Sequence, residues 1–403
     1  MEWIHRLLFE HSVANTLVVI SLIIAVGLTL SKVRLGKINL GVTWILFAGI
    51  AAGQAGFSID PGSMQFIKEF GLILFIYSIG VEVGPRFFAA FRSGGLLLNG
   101  LAAAVILLGC LVALAIGALT KIDPVAMVGV LYGAVTNTPG LGAAQQAYSD
   151  LNGGETNALF AQGYAVAYPL GVVGIIMSIV LLRNMFHIDL EKENALWQKN
   201  AHRNGANLQR QLQEEEGVRR PQPNLFFIFL GIALGVVLGV APIKIPGMSV
   251  PVRIGLAGGP LIVSILLTYF GPRLHINTYV TESSNLMLRQ VGISLFMAAV
   301  GLGAGKGFVD MVLAGGYLWV LYGVVVTMLP CLLVGAVARW VCGLSYFTIA
   351  GLISGAMTDP PALAYSNDVC GGGQASVAYS TVYPLAMFLR VLAAQLMVVL
   401  TCL

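Results

Sequence analysis

Gly133-Ala-Val-Thr-Asn-Thr-Pro-Gly-Leu141 interrupts an apolar run, and 222 positions later Gly355-Ala-Met-Thr-Asp-Pro-Pro-Ala-Leu363 interrupts another in the same way. Proline removes a backbone donor and glycine loosens the chain, so each stretch predicts a break within an apolar helix. The likeness extends outward. Gly71-Leu-Ile-Leu-Phe75 with Gly80 and Gly84 matches Gly292-Ile-Ser-Leu-Phe296 with Gly301 and Gly305 at an offset of 221. Tyr164 and Tyr168-Pro169-Leu170 match Tyr379 and Tyr383-Pro384-Leu385 at an offset of 215. Three ordered blocks at nearly one offset predict an internal duplication.

Composition sets the solvent. Of 403 residues, 57% are hydrophobic and 10% charged, against about 25% charged in soluble domains. Mean hydropathy is +0.86. So few charges cannot cover a water-soluble protein of this size, and the 49 glycines suit closely packed membrane helices. The net charge of +4 comes from loop cations and excludes a nucleic-acid surface. Cys110, Cys331, Cys342, Cys370 and Cys402 contain no C-x-x-C pair, so neither a zinc site nor a disulfide framework is expected. No cleavable leader is evident, and Val13 to Leu30 reads as a retained first helix.

Apolar segments fall at 13–31, 40–57, 65–84, 94–120, 124–148, 157–183, 224–241, 254–271, 286–305, 312–342, 346–367 and 375–402. The polar stretch 184–224, with Glu214-Glu215-Glu216 and Arg219-Arg220, separates a first membrane repeat (1–183) from a second (225–403). Cytoplasmic loops are enriched in Lys and Arg. Lys32, Arg34 and Lys37 therefore put the first loop inside and the N-terminus outside, and Arg86 and Arg92 also fall inside. Were the segment at 124–148 to cross fully, the basic linker (Arg183 to Arg220) would end outside. The conflict vanishes if that segment enters and returns on one side. Each half then has five crossings plus one re-entrant element, and an odd number of crossings inverts the second half. Arg273 and Arg339 then fall inside, and Lys244, Arg253 and Lys306 outside.

Paired broken segments in inverted halves point to a secondary transporter. Backbone groups freed at a break cannot face lipid, where each costs several kcal/mol, so they face protein or a wet central chamber where a polar solute can bind. Helix N-termini there favour anions.

The blocks at 133–141 and 355–363, with Tyr168-Pro-Leu170 and Tyr383-Pro-Leu-Ala-Met-Phe-Leu-Arg390, resemble the bacterial aspartate–alanine exchanger family across both halves. The resemblance implies exchange of small amino acids or carboxylates across the inner membrane by a homodimer, with an elevator-like motion of a transport domain. Many family members carry two soluble regulatory domains between the halves. The linker of this chain is too short for them.

Arg390 lies midway along the last apolar segment, where an arginine costs at least ~2.5–3.5 kcal/mol unless it faces a cavity or partner. Its planar fork suits a substrate carboxylate. The alternative is a structural pair with Asp359 or with freed carbonyls. Thr136, Asn137, Thr138 and Pro139 face Thr358, Asp359 and Pro360 across the duplication as paired tips of a central site. Asp359 could hold a substrate ammonium, hold a proton or balance Arg390, but Asx-Pro is also a turn starter and Asp a helix cap. Ser366 and Asn367 are weaker candidates, as are Gln145 and Gln146. Glu82 reads as a solvated or Arg-paired end residue, and Arg289 can snorkel to the interface. Tyr164, Tyr168, Tyr379 and Tyr383 precede two further proline breaks and read as packing, with a contact to solute possible.

The leading expectation is a secondary exchanger without cofactor or metal. Its expected partners are a small anionic or zwitterionic solute and the lipid bilayer. An ion- or proton-coupled organic-acid symporter is the alternative, and a channel or membrane sensor belongs to a different class. Neither H-E-x-x-H nor a nucleophile elbow occurs in the apolar segments, so an enzyme is not expected.

Overall fold

A computed structural model describes residues 10–32, 42–87, 95–191, 193, 224–242, 255–274, 276, 278, 280–370 and 374–402. Arg34, Lys37, Arg92, Lys244, Arg253 and the linker from 194 to 223 lie outside the described residues, as does Lys192. The described residues are all-helical apart from loops and turns. The first half holds α1 (Val13–Leu30), α2 (Thr43–Gln54), α3 (Pro61–Phe87), α4 (Gly95–Thr120), α5 (Pro124–Ala134), α6 (Thr138–Leu151) and α7 (Leu159–Met185). The second holds α8 (Leu225–Val240), α9 (Gly255–Phe270), α10 (Glu282–Gly305), α11 (Leu318–Trp340), α12 (Tyr346–Ala356), α13 (Pro360–Cys370) and α14 (Gln374–Thr401).

Local chemistry explains the ends. Ser12, Asp123, Asn137, Thr281 and Ser345 each accept a first-turn amide with their side chains, which satisfies donors the helix leaves free. Pro169 and Pro384 do not break their segments; both lie inside the continuous helices α7 and α14. A proline removes one hydrogen bond, and packing neighbours in a membrane helix make that loss tolerable.

Among the described residues six helices, α1, α4, α7, α10, α11 and α14, are long and apolar enough to cross a membrane. Ten full crossings were expected. Over their described residues α2, α8 and α9 are shorter: 12 and 16 residues at 1.5 Å each reach about 18 and 24 Å of a roughly 30 Å core. The 27-residue α3 is long enough but carries Lys68, Glu69 and Glu82. Large apolar side chains stand exposed along α1, α4, α8 and α11, among them Leu119 and Leu321. Soluble monomers bury such surface.

Packing directions fix the arrangement. Helices α3 and α10 cross with backbones in contact: a Cβ on Gly71 would lie 2.7 Å from the Phe296 nitrogen, and one on Gly292 2.6 Å from that of Phe75. The contact maps onto itself at the offset of 221. Asn285 donates to the Ser78 carbonyl at 3.0 Å. Thus as numbers rise along α3 from 71 to 78, partners on α10 fall from 292 to 285, and the two equivalent helices run antiparallel. In α5 and α7 the sense is opposite. Gly129 abuts the Phe160 carbonyl and Gly133 the Tyr164 carbonyl, so these helices run parallel. Likewise Gly351 abuts Ala375 and Gly355 abuts Tyr379, making α12 and α14 parallel. Both members of each pair start at one level, so the intervening α6 and α13 carry the chain back.

Candidate functional site

Each reversal is a short break with the same geometry. Thr136 and Thr358 adopt positive φ, 54° and 56°. A β-branched residue in the left-handed region is strained by roughly 1–3 kcal/mol, and such strain persists only where surroundings impose it. Two copies at equivalent positions mark the tips as over-determined.

The tips touch. Asn137 donates to the Thr358 hydroxyl at 2.9 Å and contacts the Met387 sulfur at 3.5 Å, while its carbonyl caps the Gly140 amide at 2.7 Å. The Thr136 hydroxyl reaches the Met357 carbonyl at 3.3 Å. Thr138, beside the buried Pro139, pairs with the Tyr164 hydroxyl at 2.8 Å. Asp359 takes the Ala362 amide as Asn137 takes Gly140, yet its Oδ2 is buried with no hydrogen-bond partner. We expect Asn137→Ala, which removes a cap and the tip bridge together, to lower stability by about 2 kcal/mol. A thermal melt in detergent indistinguishable from wild type would show that the bridge contributes nothing.

Arg390 joins the tips rather than Asp359. Its Nε donates to the Ala356 carbonyl at 2.8 Å and its Nη2 to the Met357 sulfur at 3.2 Å, and its own carbonyl accepts the Tyr132 hydroxyl at 3.0 Å. Ala356 ends α12, so the freed carbonyl is one of the partners the sequence left open. No ion pair joins Arg390 to Asp359, although both are described and buried. The Ala134 carbonyl, equivalent to that of Ala356, is taken by Thr327 on α11 at 2.6 Å. Sequence reasoning missed Thr327, because a lone threonine in an apolar helix usually bonds back within its own turn, as Thr327 also does to Gly323.

Not every candidate reaches this junction. Pro360 is exposed where Thr138, its counterpart, is buried. Ser366 bonds back to Ala362 at 2.7 Å and Asn367 pairs with Ser376 at 2.9 Å. Both lie about 10 Å along α13 from Asp359, too far to join the tips. Gln146 bonds Asp150 on its own helix. The expected wet chamber is closed: Asn137, Thr358, Asp359 and Arg390 are 0, 6, 1 and 3% exposed. What remains is an occluded junction that holds Arg390 and Asp359 and at which two helices, α6 and α13, begin. Their N-terminal dipoles add positive potential.

Comparison with known proteins gives two matched stretches. The predicted permease membrane region of the Asp-Al_Ex family matches residues 19–184 and 227–399. An uncharacterized transporter of Bacteroides fragilis is 38% identical over 546 aligned positions, covering 97% of each chain. An uncharacterized transporter of Bacteroides thetaiotaomicron is 35% identical over 98% of this chain and 99% of its own. A putative transport protein of Aeromonas hydrophila is 31% identical over 96% and 99%. No solved structure matches. The chain belongs to the Asp-Al_Ex (aspartate–alanine exchanger) family of membrane permeases, and its relatives are transporters by name.

Proposed function

We propose that this chain is a secondary active transporter exchanging small amino acids or dicarboxylates across the bacterial inner membrane by alternating access. The carrying observation is the meeting of two strained tips beside Arg390, a guanidinium with no carboxylate partner. In this reading α5–α6 and α12–α13 are re-entrant hairpins. The antiparallel crossing of the equivalent helices α3 and α10 supports inverted repeats, and an elevator-like shift of the hairpins would move the junction between faces. Arg390 holds the substrate carboxylate with its free donors, and Asn137 and Thr358 supply neutral contacts.

The N-terminus lies outside and the linker 184–224 inside, in a homodimer. Glu193 in the linker pairs with Arg339 at the end of α11 at 2.6 Å, which supports placing both on one side. The alignment to the Bacteroides fragilis relative runs over 546 positions where this chain has 403 residues, so that relative carries positions with no counterpart here. We place them between the matched stretches, at residue 184 to 227, where family members carry regulatory domains.

One observation favours ion- or proton-coupled symport instead: the unpartnered Oδ2 of Asp359 could take a proton or a substrate ammonium. Reconstitution into liposomes preloaded with aspartate, alanine, glutamate or succinate separates the readings. Exchange predicts uptake of labelled solute only into vesicles holding a counter-substrate, at any pH gradient. Uptake into empty vesicles driven by a proton or sodium gradient would replace exchange with symport.

A further inference from the structure

Arg289 lies two turns inside α10, a helix apolar and long enough to span. At that depth a charge must face protein or water. Its guanidinium meets Glu82 on α3 at 2.6 Å and donates to the Tyr383 hydroxyl on α14. Three helices thus converge on one cation. The Arg289 and Glu82 side chains are 26% and 44% exposed, so the pair is not sealed inside the helix bundle. Five N–H donors on a planar fork leave capacity beyond the two groups named.

The surroundings lead inward. Tyr379, Tyr383, Met387 and Arg390 follow at spacings of four, four and three on α14, and therefore share one face over about 16 Å. Tyr379 and Tyr383 stack at 5.1 Å. Tyr379 is within electrostatic reach of Asp359, Arg289 and Glu82. Met387 touches Asn137 and Arg390 lies against the second tip. One stripe thus links the partly exposed pair to the occluded junction.

In the first half the counterpart of Arg289 at the offset of 221 is Lys68, likewise half-buried, and those of Tyr379 and Tyr383 are Tyr164 and the half-buried Tyr168. Tyr164 is fully buried against Thr138, and Tyr168 is held by Thr43, itself 2% exposed. Residues 138–144 of α6 are all buried, whereas α13 exposes Pro360, Ala364 and Asp368. Helix α13 is thus less enclosed than α6.

We propose that Arg289 is a second carboxylate-binding position, a port on the α13 side that captures the solute before it reaches Arg390. Glu82 occupies the fork when the port is empty and is displaced by an incoming carboxylate. Tyr383 and Tyr379 line the path to the tips. The proposal rests on the transport reading above.

The test is exchange kinetics in oriented proteoliposomes, with labelled L-aspartate and succinate as probes offered at each face. Arg289→Gln is expected to raise KM at least tenfold at the α13 face only, with Vmax within twofold. Glu82→Gln, which removes the internal competitor, should lower KM at that face. If Arg289→Gln does not fold, Arg289→Lys keeps the charge without the fork and should raise KM at the same face by a smaller factor. The swap Glu82→Arg with Arg289→Glu restores a structural pair but reverses the port, so its KM at the α13 face should stay raised. Recovery by the swap, an equal change at both faces, or no change in any variant overturns the port while leaving the exchanger intact. A wild-type protein that exchanges none of the acids overturns the transport reading, and the port with it.

Discussion

Arg390→Gln is expected to abolish counterflow, lowering exchange at least ~100-fold, while the protein remains folded. A hydrogen bond to an ionised group in a buried site contributes about 1.5–3 kcal/mol, and the upper end of that range corresponds to about two orders of magnitude in affinity. Glutamine keeps a donor for the Ala356 carbonyl, which Arg390 Nε now satisfies at 2.8 Å. It removes the charge and the fork. Arg390→Ala should lose exchange too, but it also strands the Ala356 carbonyl, at a stability cost of about 1–3 kcal/mol. Arg390→Lys keeps the charge on a point donor, so it should retain partial exchange with a raised KM. The measurements are counterflow in liposomes and a thermal melt of each variant. If Arg390→Gln exchanges as well as wild type while Arg390→Ala merely melts earlier, Arg390 is a strut for the second tip and the carboxylate is held elsewhere.

That division between charge and strut is where sequence and structure part company. Arg390 stood out because an arginine inside an apolar run has few physical options. The two broken stretches stood out because proline, glycine and short polar residues recur at one offset. Those signals are local and periodic, so a single chain displays them. The identity of the Arg390 partner is not local. Asp359 was as plausible a partner as the Ala356 carbonyl until the course of α12 and α14 was known, and the structure selects the carbonyl. The Glu82–Arg289 pair spans 207 positions; Glu82 reads as solvated or Arg-paired and Arg289 as snorkelling, and the structure selects the pairing. Nothing in the sequence says which arginine Glu82 meets. Thr327 was invisible for the converse reason: its bond to Ala134 has no equivalent in the other half, where Arg390 serves Ala356. A self-match at one offset reveals what the two stretches share and hides what distinguishes them, and Arg390, whose counterpart at the offset of 215 is Ile175, is among the distinguishing residues. Pro169 and Pro384 misled because the motif that signals a break at Pro139 is tolerated inside α7 and α14.

Gly351→Ala should destabilise the protein sharply, although alanine is the better helix former by about 1 kcal/mol. The added Cβ would lie 2.1 Å from the Ala375 carbonyl oxygen, a backbone atom that cannot swing aside. Helices α12 and α14 would have to separate along their parallel contact, which carries both Arg390 and the second tip. Overpacking of this kind costs typically 1–3 kcal/mol and more where backbone opposes backbone. The midpoint of a thermal melt in detergent should fall by roughly 1–4 °C. Gly129→Ala, whose Cβ would lie 2.3 Å from the Phe160 carbonyl in the matching contact of α5 with α7, should do the same. Gly100→Ala on α4 is the control, since nothing lies within 4 Å of its Cβ. There the propensity gain acts alone and the midpoint should hold or rise. Opposite signs for one chemical change at three helical glycines would trace the effect to the two hairpin contacts. If Gly351→Ala and Gly100→Ala melt alike, α12 and α14 are not held at backbone contact, the parallel course of α12 and α14 loses its support, and with it the reversal of the chain through Thr358.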